Sequence, residues 1–143
     1  MIKRIAIALS LAVLAMASPV RAQRFMFTGV TDGEVLAFFG KLQSAVNAGN
    51  KSAVAAMVNY PLRVNTRKGP KLVVANSADL VRQYDAVFTP AIRQAIAAEK
   101  PARLVGSHDG AGIGAGLVWF TGVCEKKARP PKCKLGVVSI NHE

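Results

Sequence analysis

Three groups of residues in this 143-residue chain have the types and spacing to do chemistry. The first is Tyr84-Asp85. Leu80, Val81, Tyr84, Val87 and Phe88 recur at helical spacing, so Tyr84 points inward and Asp85 stands at the edge of the same face. A tyrosine hydroxyl beside a carboxylate in a dry cavity would be an acid–base pair, because desolvation raises the carboxylate's pKa. The same two residues also suit a core tyrosine and a surface carboxylate paired with Arg63, Arg82 or Arg93. The second group is His108-Asp109, a base and an acid in composition. Neighbours in a strand point to opposite faces, however, and Gly110 marks a turn. The third is Cys124 and Cys133, the only cysteines, which bracket a loop rich in lysine. In an exported chain such a pair reads as a disulfide. Zinc would need more ligands, and His108 and His142 are at no metal spacing; His142, one residue from the end, is expected to be frayed. No metal and no cofactor are expected. No serine, threonine or cysteine sits in a nucleophile elbow. Gly110, Gly112, Gly114 and Gly116 imitate a phosphate loop, but apolar residues interleave them and no helix opens afterwards.

The elements that must position these groups follow from periodicity. Residues 23–30 have no period and are expected to form a loosely ordered arm, with Phe25, Met26 and Phe27 apolar enough to dock. Thr31 and Glu34 form a capping box ahead of Val35, Phe38, Phe39, Leu42 and Val46, which predicts a helix ending at Gly49. Asn50 caps a second helix, and Tyr60-Pro61 is expected to break it. Leu62–Asn65 and Lys71–Ala75 alternate about a Thr66–Pro70 turn and predict a hairpin. Asn76 opens the helix that carries Tyr84, and Thr89-Pro90 opens another that ends by Pro101. Strands are then predicted over Arg103–Ser107, Ala111–Thr121 and Lys134–Asn141, the middle one longest and bare on its glycine face. Helices grouped ahead of consecutive antiparallel strands imply an α+β domain.

The N-terminus predicts where the chain goes. Lys3 and Arg4 precede an uncharged apolar run, Ile5–Ala17, and then Val20 and Ala22. This is the anatomy of a secretory leader, expected over residues 1–22 and cleaved after Ala22. Thirteen apolar residues fall short of the ~20 that span a bilayer, and no later stretch is long enough, so no integral membrane segment is expected in the mature chain. Residues 31–143 are expected to make a single domain, periplasmic or secreted. Formal charge is +11, and +8 without Lys3, Arg4 and Arg21. Lys126, Lys127, Arg129, Lys132 and Lys134 form one basic patch, and Arg63, Arg67, Lys68 and Lys71 another. Such patches either keep hairpin tips solvated or attract anionic partners. For an exported chain those partners are anionic lipid, polysaccharide or an acidic protein, and not nucleic acid.

The stretches Tyr60-Pro61-Leu62-Arg63-Val64-Asn65, Tyr84–Arg93 and Ile113–Phe120, with the element order above, resemble small exported bacterial members of the nuclear transport factor 2-like (cystatin-like cone) superfamily. The resemblance implies a strongly curved antiparallel sheet wrapping the helices around a cone-shaped cavity. It also implies relatives that are isomerases, cyclases, dehydratases or non-catalytic proteins. No catalytic motif of those isomerases matches here residue by residue. If the cavity exists, Tyr60, Arg63, Tyr84, Asp85 and Trp119 are the residues expected along its mouth or wall. Two functions are then open. One is a non-enzymatic binding module for a small ligand or anionic partner, with homodimerisation through the sheet. The other is an isomerase- or cyclase-like enzyme for a small apolar molecule, using Tyr84 and Asp85.

Overall fold

The computed structural model describes residues 23–143; the leader expected over residues 1–22 lies outside them. The first helix, α1 (Asp32–Asn47), opens at the capping box as predicted. The Thr31 hydroxyl accepts the Glu34 N–H at 3.3 Å, and the Glu34 carboxylate accepts the Thr31 N–H at 2.8 Å. Side-chain oxygens of Asn50, Asn76 and Thr89 likewise cap α2 (Lys51–Ala56), α3 (Ser77–Arg82) and α5 (Pro90–Ala98), with Pro90 in the first turn of α5. A single turn, α4 (Tyr84–Val87), lies between α3 and α5. The strands are β1 (Val58–Asn65), β2 (Leu72–Val74), β3 (Val105–Ser107), β4 (Gly110–Ile113), β5 (Val118–Cys124) and β6 (Cys133–Asn141).

One open sheet takes the order β2-β1-β6-β5-β4-β3. The α+β class is therefore observed, but the sheet is mixed rather than antiparallel. β1 and β6 run parallel, and the other neighbours are antiparallel. Parallel neighbours need a long crossover. Here α3–α5 and the β3–β6 meander supply it, bringing the last strand back beside the first in the same direction. The sheet does not close, so β2 and β3 remain as edges.

Alternation sorts β1 from Leu62 onward and β5, and a bulge in β6 opposite Trp119–Phe120 keeps both Val137 and Ile140 on the core side. Leu62, Val64, Val74, Ala111, Ile113, Val118, Phe120, Val137 and Ile140 are no more than 1% exposed and face the helices. There they meet Val35, Phe39, Leu42, Leu80, Val87, Phe88, Ile92 and Ile96 in one apolar core.

Four expectations are corrected. The stretch Ala111–Thr121 is not one strand but β4, a tight turn and β5. Gly114, Ala115 and Gly116 have φ of +62°, +57° and +100°, a left-handed run that no strand contains. Its ends close where the Gly116 and Leu117 N–H groups both donate to Ile113 O, at 3.2 and 2.9 Å. Glycine at every second position is a bare strand face in composition and also good turn material. Residues 23–30 are not a loose arm. Phe25 and Thr28 are buried. The Arg24 guanidinium donates to the carbonyls of Pro101 and Leu104, and the Asp32 carboxylate accepts the N–H groups of Arg24 and Phe25. The backbone of this segment lies directly on Gly106 and Gly122, where any side chain would collide with the Arg24 and Thr28 carbonyls. Tyr60-Pro61 sits inside β1 rather than ending a helix, at the break in register with β6 where a missing N–H leaves no ladder bond unmade. His142 is not frayed. Its N–H donates to Asn65 O at 2.8 Å and its Nε2 lies 2.8 Å from Val87 O.

Candidate functional site

Tyr84, expected along a cavity wall, is packed in the core. Its ring stacks on Phe88 with centroids 5.0 Å apart and planes within 10°. The Lys51 ammonium lies 5.5 Å from its centroid. Its hydroxyl is buried with no hydrogen-bond partner among the described residues, and burial pushes its pKa above the usual tyrosine value, opposed by the charge of Arg93. Asp85, one residue on, is outside. Its carboxylate is 71% exposed and lies 3.2 Å from the Lys51 ammonium and 3.3 Å from the Arg93 guanidinium. Tyr84 and Asp85 therefore do not converge on one space, and the carboxylate lacks the dry surroundings that would fit it for proton transfer. Tyr60 is half-buried and donates its hydroxyl to Ala55 O at 2.7 Å, tying β1 to the end of α2. Burial raises its pKa as well, opposed by the nearby Ser77 side chain.

The other two expected residues, Arg63 and Trp119, line one groove, on the face of the sheet that no helix among the described residues covers. Register makes the arrangement. Val73 pairs with Arg63, Arg63 with Ser139, Ser139 with Trp119, Trp119 with Gly112, and Gly112 with Val105. One row thus crosses all six strands, with Arg63 and Trp119 flanking Ser139 at roughly 10 Å from each other, two strand spacings. A groove of about 500 Å³ opens over this row. Its cationic side carries Arg63 and Lys71, its far end carries Asp109, and Asn65, Thr121 and Asn141 fill the polar positions between. Asn65 Nδ2 donates to Asn141 Oδ1 at 2.7 Å, and Asn141 Nδ2 donates to Gly116 O at 2.7 Å, so both amides are held in fixed orientations.

The glycines explain how Trp119 is set. A Cβ on Gly112 would fall 3.1 Å from the outer edge of the indole, and one on Gly116 would fall 3.3 Å from the opposite edge. The ring therefore lies across two residues that have no side chain to lift it. An aromatic surface, two cations and several fixed polar groups suit a ligand with an anionic end and a flat or hydroxylated body.

His108-Asp109 forms the two-residue connection of the β3–β4 hairpin, with Ser107 paired to Gly110. Both side chains are mostly exposed, with Nε2 and Oδ1 3.6 Å apart. Asp109 nevertheless reaches the groove, a role its turn position alone did not suggest. Asn65, Thr121, Ser139 and Asn141 were likewise not singled out in sequence. The outward position of Asn65 and Thr121 is readable from alternation, that of Ser139 depends on a bulge in β6, and the company of all four depends on register between distant strands.

Cys124 and Cys133 are joined as a disulfide at the base of the β5–β6 hairpin. Lys126, Lys127, Arg129, Lys132 and Lys134 are all exposed on or beside the loop it closes. Among the described residues no helix is long and apolar enough to cross a membrane, and no three His, Cys, Asp or Glu side chains gather as a metal site. Comparison with protein-family models, with curated proteins and with solved structures finds no match for this chain.

Proposed function

We propose that this chain is an exported, non-enzymatic binding protein that receives a small anionic ligand on the open face of its sheet. The observation that carries this is the row Arg63–Ser139–Trp119, which places a guanidinium and an indole on either side of a polar strand in a groove of about 500 Å³. On the covered face the residue expected along a cavity wall, Tyr84, is packed among aromatic and aliphatic side chains. The enzymatic alternative needed Tyr84 and Asp85 in one cavity, and their separation weighs against it. Location outside the cytoplasm, periplasmic or secreted, is supported by the leader-like composition of residues 1–22 and by the disulfide. Likeness to the nuclear transport factor 2-like cone is supported by element order and by helices gathered on one sheet face, while the sheet stays open and mixed.

Trp119 is the only tryptophan of the chain, so its emission reports on the groove directly. Titration with sugar acids and aromatic carboxylates, each beside its uncharged analogue, is expected to give a saturable change for an acidic member of the panel. Arg63→Ala should weaken that binding about tenfold, the size of one lost charge-assisted contact. Equal responses to acids and their neutral analogues, or none to any, would remove the groove as the site. A homodimer through the same face would cover Trp119. Sedimentation across a concentration series separates the two, since a dimer would blunt ligand binding as concentration rises.

A further inference from the structure

A second surface lies away from the groove, where the N-terminal segment meets the disulfide. Met26 and Phe27 project from a single 3-10 turn and are 64% and 60% exposed, the most exposed large apolar side chains among the described residues. The turn is fixed rather than trailing. Thr28 behind it is fully buried. Gly29 after it has φ of +77° and sits so close to the disulfide that a Cβ there would fall 2.9 Å from Cys133 Sγ and 3.0 Å from Cys124 Sγ. One sulfur bridge thus anchors two features: the apolar turn and the basic loop. Met26, Pro131 and Lys132 line one shallow cleft between them.

Two adjacent exposed apolar side chains on a rigid turn fit a partner with an apolar layer. Lys132 shares that cleft with Met26 and with Glu34, and Lys126, Lys127 and Arg129 are exposed on the same disulfide-closed loop with Glu125, an excess of positive charge that fits a partner with negative charge. An acidic polysaccharide answers only the second requirement. A membrane leaflet with anionic headgroups answers both, the cations lying at the headgroups and the apolar side chains entering the acyl boundary. We infer that the chain docks on an anionic lipid surface through Met26 and Phe27 and the basic loop closed by Cys124 and Cys133.

The test uses the full chain, produced in a bacterial host and taken in the form the host releases. Co-sedimentation is measured with vesicles of phosphatidylcholine alone and of phosphatidylcholine with one part in three phosphatidylglycerol. Binding to the anionic vesicles only is expected, weakening with added salt. Lys126→Gln, Lys127→Gln, Arg129→Gln and Lys132→Gln together should lower affinity roughly a hundredfold or more. Met26→Ala with Phe27→Ala should lower it about tenfold, from the apolar area no longer buried. All six positions are solvent-facing, so thermal unfolding should not move, and that measurement guards against misfolding. Equal binding to neutral vesicles would overturn the proposal. So would charge-dependent binding indifferent to Met26 and Phe27, particularly if a soluble polyuronate competes for it, because the loop would then be a polysaccharide contact.

Discussion

The two faces of the sheet are built from the same six strands and differ in almost every other respect. Toward the helices stand Leu62, Val64, Ile113, Val118, Phe120 and Ile140, none more than 1% exposed. Toward solvent, on alternate residues of those strands, stand Arg63, Asn65, Trp119, Thr121 and Asn141, which line a groove. Helices on one side remove water and use apolar burial for stability. The side left uncovered keeps polar groups that burial would penalise, and that freedom is what a binding site needs. The contrast explains why the chemically suggestive Tyr84 is a core residue while outward residues of β1, β5 and β6, brought into one row by register, build the groove.

Substitutions on each face can break or sharpen this division. The largest loss belongs to the covered face. Phe120 is fully buried with its ring 5.0 Å from that of Phe38, and Phe120→Ala is expected to destabilise by about 3–5 kcal/mol in urea unfolding. A cost near zero would mean that the core is not packed as described. Next comes the disulfide, which ties the hairpin shared by both faces. Cys124→Ser with Cys133→Ser should lower stability by about 2–3 kcal/mol, the loop-closure value for some ten residues.

A smaller effect of opposite sign tests the polar atom in the core. Tyr84→Phe removes an unpartnered hydroxyl and should leave stability unchanged or raise it by up to about 1 kcal/mol. Burial holds the Tyr84 phenol above its ordinary value of 10.0, so the folded protein keeps a proton that the unfolded chain has lost. Stability is then complete below about pH 10 and falls as pH climbs beyond it. Tyr84→Phe should remove part of that alkaline loss and leave the part due to Tyr60, whose phenol burial also raises. Identical alkaline losses in both proteins would contradict a buried, unpaired Tyr84. The smallest stability effect belongs to the open face. Arg63→Ala should shift unfolding by less than about 0.5 kcal/mol while weakening ligand binding. A large loss of stability would give Arg63 a structural role and blur the division between faces.

Local chemistry was legible wherever a few neighbouring residues decide the outcome. Thr31 with Glu34, Asn50, Asn76 and Thr89-Pro90 each satisfy orphan N–H groups within one turn, so the helix starts could be read directly. The same holds for the hairpin about Thr66–Pro70 and for the cysteine pair. Alternation also put Arg63 and Trp119 on strands, and both reached the groove. Less was legible where one composition serves two structures. The glycines from 110 to 116 read as a bare strand but turn at Gly114–Gly116, because only the partners of β4 and β5 select between those states. Residues 23–30 carry no period, and their place was set by Gly106, Gly122 and Asp32, none of which signals it in sequence.

What the residue order determined alone, then, is the α+β class, the caps, the turns at Thr66–Pro70 and His108–Gly110 and the sulfur bridge, since each depends on groups within reach of one another along the chain. The tertiary structure decided which strand lies beside which, and therefore that β1 and β6 run parallel. It also decided that Arg63 and Trp119 share a face with Ser139 between them, and that Asp85 parts company with Tyr84. Those outcomes depend on register and packing among residues distant in sequence, where the free energy of the whole core selects the neighbours.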